Sequence, residues 1–143
     1  MPLTQNDLSG FTGDLTRYRH PLHRKLVFTP GVHHLAEHGQ AFWMIDVVAS
    51  YLSDIASGKH GEDMQYLSFF RFDFSGDSGC IITVGDGNDD ANGERNVMIR
   101  QDVPFTDFRS RSDIEVVQIW LGVSDADGEG NPTMYTAYLP SEH

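Results

Sequence analysis

The sequence predicts an α+β fold in which two N-terminal helices pack on one face of an antiparallel meander of about five strands. Three observations predict it. Residues 41–57 place apolar side chains at helical spacing, the chain after residue 64 alternates with a period of two, and Gly-, Asp- and Asn-rich turns separate the alternating segments. Helices first and strands afterwards is the order expected of an α+β domain.

The elements follow in chain order. Residues 1–16 carry Gly10 and Gly13 among polar residues with no clear period, which predicts a loosely attached arm. Residues 25–29 (KLVFT) form a short strand candidate, rich in β-favouring side chains. Thr29 and Pro30 then read as helix N-cap and first helical position, with Gly39 as the stop, for a helix of about two turns. In residues 41–57 (AFWMIDVVASYLSDIAS), Ile45, Val48, Leu52 and Ile55 fall on one stripe, and Asp46, Ser50, Ser53 and Asp54 lie opposite. The expected strands are residues 65–74, 80–84, 96–103, 115–123 and 133–139. In the first, Phe70, Phe72 and Phe74 share a face and Arg71 and Asp73 the other; in the fourth, Val117, Ile119 and Leu121 share a face. Short turns between them make hairpins, and hence a meander, the economical topology. If helices cover one face only, the other carries Leu67, Phe69, Val116, Trp120 and Tyr135, an apolar patch that marks an interface, a dimer surface or a covering segment.

A chain of 143 residues with 39% hydrophobic side chains suffices for one domain with its own core, and no second domain or linker is visible. No apolar run approaches the ~18 residues that span a bilayer, and residues 1–10 lack the pattern of a signal peptide. The single cysteine, Cys80, cannot form an internal disulfide, which points to a reducing, cytoplasmic setting. Cys80 heads an apolar strand and reads as a small hydrophobe.

The net charge is -11, and it is unevenly spread. Residues 1–40 hold four bases against three acids, together with His20, His23, His33, His34 and His38; residues 41–143 hold eighteen acids against six bases. Such acidity repels nucleic acid and anionic membranes, and suits basic protein partners or plain solubility. The first quarter gains positive charge if its histidines titrate near pH ~6.5.

Several motifs invite a chemical reading. His34, Glu37 and His38 match the H-x-x-E-H pattern of one zinc metalloprotease class, with His34 and His38 as ligands and Glu37 as base. A catalytic zinc needs a third protein ligand, and none is singled out. His20 and His23 would join His34 and His38 if the arm folded back; the preferred reading makes His20 a hydrogen-bonded structural residue. The turns holding Asp86, Asp89, Asp90 and Glu94, and Asp125, Asp127 and Glu129, resemble the opening of calcium loops. Position twelve of each would be Ile99 or Thr136 in place of the required glutamate, so both read as hairpin turns. These seven acids form the candidate binding surface. Residues 76–79 (GDSG) read as a turn between strands, and no nucleophile motif or cofactor-binding motif occurs, so no cofactor is expected.

Three segments, YRHPLHRKLVFTPGVHHLAEHGQAFWMID, PFTDF and YLPSEH, resemble a family of small bacterial proteins classed only as a domain of unknown function. The resemblance spans most of the chain and implies no activity or cofactor. It also implies that histidine is not generally kept at the positions of His33, His34 and His38, which counts against zinc. Families of this kind are often carried on mobile elements, which brings in conflict between plasmids or phages and their hosts.

The expected function is therefore that of a small, acidic, non-enzymatic binding protein engaging a basic protein partner, with homo-oligomers allowed and direct nucleic-acid binding disfavoured. One alternative is a nucleic-acid-mimicking inhibitor of a bacterial defence system, of anti-restriction or anti-CRISPR type. The other is a zinc-dependent hydrolase using His34, Glu37 and His38.

Overall fold

The structure, a computed structural model, describes residues 2–11, 16–76 and 79–142. Asp77 and Ser78 of the 76–79 turn, and residues 12–15 of the expected arm, lie outside the described residues. Along the chain run α1 (Gln5–Ser9), β1 (Tyr18–Arg19), β2 (Leu26–Phe28), α2 (Pro30–His38), α3 (Phe42–Ala56) and α4 (Glu62–Tyr66). There follow β3 (Leu67–Asp73), β4 (Cys80–Gly85), β5 (Ile99–Val103), α5 (Phe108–Arg111), β6 (Val116–Ala126), β7 (Pro132–Tyr138) and a closing 3-10 turn, Pro140–Glu142.

The expected five-stranded antiparallel meander under two helices is not what forms. The described residues build a seven-stranded mixed sheet, ordered β1-β2-β7-β6-β3-β4-β5, and five helices. All neighbours are antiparallel except β2 and β7, which run parallel. A meander would leave β6 beside β5. Instead β6 returns across the sheet to lie beside β3, so β6-β3-β4-β5 is a Greek key. Burial explains the choice: Phe70, Phe72, Val117, Ile119 and Leu121 are all at most 1% exposed, so β3 and β6 belong in the middle. Arg100, Gln101 and Asp102 make β5 polar and exposed, tolerable only at an edge. The connection that crosses back is anchored by Phe108 and Ile114, both buried, with Phe108 packed on Phe74 at a ring separation of 4.5 Å.

The helices line one face. The stripe of Met44, Ile45, Val48, Leu52 and Ile55 on α3 is buried, and Trp43 meets Phe72 and Phe74 edge-on at 6.0 and 6.1 Å. The segment expected to be a loose arm is tied in where described. Leu3 and Leu8 are buried, Thr4 and Asp7 form a capping box on α1, and Leu3 exchanges backbone bonds with Arg111 and Asp113.

One contact ties the closing turn to the start of α2. Thr29 caps α2 and Pro30 takes its first position, as their residue types favour. The buried Glu142 carboxylate then accepts from the Thr29 hydroxyl, the Gly31 amide at 3.2 Å and the Leu139 amide at 3.0 Å. An acid at a helix N-terminus meets unbonded amides and the positive end of the helix dipole. Gly31 permits the approach: a Cβ there would sit 2.6 Å from the Glu142 carboxylate.

Glu142→Ala should therefore destabilise the fold by about 2–3 kcal/mol, leaving buried donors without their acceptor, and lower Tm by roughly 4–12 °C. Gly31→Ala should destabilise in the same direction by displacing that carboxylate. Thermal unfolding followed by circular dichroism measures both; an unchanged Tm for Glu142→Ala would show that the contact is dispensable.

Candidate binding surface

Strand direction decides where the acidic turns go. β4 and β6 flank β3 and both run antiparallel to it, so they run parallel to each other. Their C-terminal ends therefore point to the same end of the sheet, about 10 Å apart across it (two strand spacings), with β6 running on further than β4. The 86–94 and 125–129 turns, distant in sequence, thus lie at the same end of the sheet. β6 and β7 continue past Gly122, the partner of Leu67 at the start of β3, as a two-stranded ribbon. The second acidic turn is its tip. α4 leads into β3 at this end and adds Glu62 and Asp63, and the Asn88 side chain donates to Asp63 at 2.8 Å.

The seven acids divide by role. Asp86 accepts from the Asn88 amide, and Asp90 from the amides of Asn92 and Glu94, at 2.8–3.0 Å. Asp127 accepts from the amides of Glu129 and Asn131, both at 2.9 Å. The Asn131 and Glu129 amides hold the Asp127 carboxyl below the usual carboxylate range. These three acids shape the turns. Asp89, Glu94, Asp125 and Glu129 are exposed around them. Both loops are hairpin connections between strands, as their residue types imply.

The histidine-rich segment assembles differently. His34 and His38 do share a face of α2, with ring centroids 4.0 Å apart, and Phe11 packs on His34 at 5.0 Å. Glu37 faces away toward His33, with 3.5 Å between Oε2 and Nδ1. Among the described residues no group of three or more His, Cys, Asp or Glu side chains is placed to hold a metal ion. His20 is buried: its Nδ1 accepts from the amides of Leu22 and His23, so Nε2 carries the proton and donates to Asp46 at 2.8 Å. That is the structural role its sequence context favours. Cys80 is buried, and burial pushes its thiol up to about 12, so it is no nucleophile at neutral pH.

The face of the sheet away from the helices carries Leu67, Phe69, Val116 and Trp120 as expected. Tyr135, however, turns to the helical side, fully buried, where its hydroxyl donates to the Gln65 carbonyl. Tyr138 takes the expected place, in a row Phe69–Trp120–Tyr138 with ring centroids 5.0 and 6.1 Å apart. The covering segment is the β4–β5 loop. Gly87, with φ +82, lies so close to Phe69 that a Cβ would sit 2.5 Å from its ring. Between loop and sheet runs a groove of about 480 Å³ lined by Arg71, Asp73, Thr83, Arg95, Arg100 and Gln118, among others. The sequence reading did not single it out, though Arg71 alternating with Phe70 and Phe72 was a signal for it. Arg71 lies 3.7 Å from Asp73 and Arg100 lies 3.4 Å from Asp102, so two of its arginines are balanced along their own strands.

A model described as a family of unknown function, DUF6876, matches residues 2–143. The chain belongs to that family. No curated protein and no solved structure matches it. Among the described residues no helix is long and apolar enough to cross a membrane. Two of the segments that carry the resemblance, residues 18–46 and 138–142, meet at the Glu142 contact.

The histidines make stability depend on mild acid. Burial first, then the neighbouring His38, lowers the His34 pKa from its ordinary 6.5, while Asp7 and Glu37 oppose the shift. Burial likewise lowers that of His23. The unfolded chain therefore binds these protons first. The stability tied to them is complete above pH ~6.5 and is lost as pH falls from there toward the folded-state values. The carboxyls with lowered pKa, Asp7, Asp73 and Asp127, act only near pH ~4 and below. His34→Gln should accordingly shrink the fall in Tm between pH ~7.5 and ~5.5; an undiminished fall would place the sensitivity elsewhere.

Proposed function

We propose that this protein is a non-enzymatic binding module whose acidic sheet end engages a basic protein partner. The observation that carries this reading is the convergence of the two acidic turns on one end of the sheet. There Asp89, Glu94, Asp125 and Glu129 are exposed on turns already shaped by Asp86, Asp90 and Asp127, so little order has to be imposed on binding. Charge of this kind speeds encounter and selects the sign of the partner, and its effect weakens as salt screens it. A nucleic-acid mimic would use the same acidic end. Arg71, Arg95 and Arg100 on the adjoining open face interrupt a negative strip along the sheet, which ranks that reading second. Among the described residues a zinc hydrolase would have only the His34 and His38 pair to build on.

The test compares wild type with Asp89→Asn/Glu94→Gln/Glu129→Gln in affinity purification from the native host. The three substitutions spare the turn-shaping acids and should move Tm by no more than about 2 °C. A basic protein should be retained by wild type, released by salt, and recovered at least about tenfold less with the variant. A partner held equally by both proteins would end this reading. A partner displaced by competing DNA or RNA would move the weight to mimicry.

A further inference from the structure

The sheet has two edges of different character. β1 is two residues long, and a short edge strand offers little to an incoming strand. β5 is a five-residue strand flanked by exposed apolar side chains, Val97 and Met98 before it and Phe105 after it.

Pro104 fixes which backbone groups of β5 face outward. Cys80 is paired with Val103. Were this a non-hydrogen-bonded pair, the flanking bond would need the N–H of residue 104, and proline has none. Cys80–Val103, Ile82–Gln101 and Val84–Ile99 are therefore the bonded pairs. It follows by alternation that the N–H and C=O of Arg100 and Asp102 point away from β4, out of the sheet.

The strand is also complementary to itself. Set antiparallel to a second copy with Gln101 on the twofold axis, Arg100 faces Asp102 of the copy, Asp102 faces Arg100, and Ile99 faces Val103. The residues whose charges match are the ones whose backbone groups are directed outward, so ladder and charge select one register. A shift of two residues in either direction would set Arg100 against Arg100 or Asp102 against Asp102. Beyond the ladder the same axis brings Val97, 55% exposed, level with Phe105, 73% exposed. Pro104 ends the ladder on each side. We propose that the chain forms a twofold dimer through antiparallel β5–β5 pairing centred on Gln101, which joins two sheets into one.

This surface is separate from the acidic turns, and the two readings fail independently. Sedimentation of the purified full chain over a range of concentrations should show a monomer–dimer equilibrium. Arg100→Asp and Asp102→Arg should each raise the dissociation constant about tenfold or more, and Arg100→Asp/Asp102→Arg should restore it. In a second experiment, mild oxidation of Gln101→Cys should give a covalent dimer. The non-bonded pair across the axis has a Cα separation of about 4.5 Å, within disulfide range, and buried Cys80 does not compete. A monomer at every concentration, a dimer indifferent to charge reversal, or a Gln101→Cys protein that does not cross-link would overturn the proposal.

Discussion

The contact between the Glu142 carboxylate and the start of α2 is the constraint on which the rest of the architecture depends. It joins the last turn of the chain to the first long helix, and it does so at the parallel boundary of the sheet. β2 ends at Phe28, opposite Ala137 of β7, and the Thr29 amide continues the ladder to the Ala137 carbonyl. The same threonine then caps α2 and donates to Glu142. Helix entry, strand pairing and chain closure thus share one residue. The buried donors and the carboxylate satisfy one another, and a site this dry holds hydrogen bonds strongly only when every member is paired.

A second constraint decides the strand order. Hairpin connections are short and local, which makes a meander look economical, but that order would set the polar β5 between β4 and β6 and leave β3 with one neighbour. The Greek key gives the phenylalanine-rich strand two neighbours and sends the arginine- and aspartate-bearing strand to the rim. It also fixes the electrostatic character of the molecule. With β4 and β6 parallel on either side of β3, the acidic turns lie at the same end of the sheet.

What was legible in the residues is what depends on local spacing. The Thr29–Pro30 start and Gly39 stop bound α2, the 3.6-residue stripe marks α3, and the alternation of Phe70, Phe72 and Phe74 defines the buried face of β3. The Thr4/Asp7 capping box that starts α1 was missed, because a five-residue helix carries no period and the segment read as a loose arm. β1 was not readable, since Tyr18 and Arg19 are too few to carry a period. Strand order was not readable from periodicity because period two says which face a side chain takes and nothing about which strand lies beside it. The acidic turns could be named from their residues, whereas their convergence could not, because it depends on that order. Tyr135 and Tyr138 show the limit: three residues apart, they must take opposite faces, but which of them is buried is set by the pairing, with Tyr135 opposite Val123 and Tyr138 opposite Trp120.

The parallel pairing of β2 with β7 also has a temporal side. β2 lies near the start of the chain and its only inner neighbour near the end, so on a ribosome β2 and α2 emerge long before anything can complete them. At ~5–20 residues per second that interval is roughly 5–20 s. Throughout it Leu26 and Phe28, both buried in the finished sheet, have no β7 to pair against. Closure of this fold has to wait for β7, about a hundred residues after β2, and a nascent chain has to remain unaggregated until then.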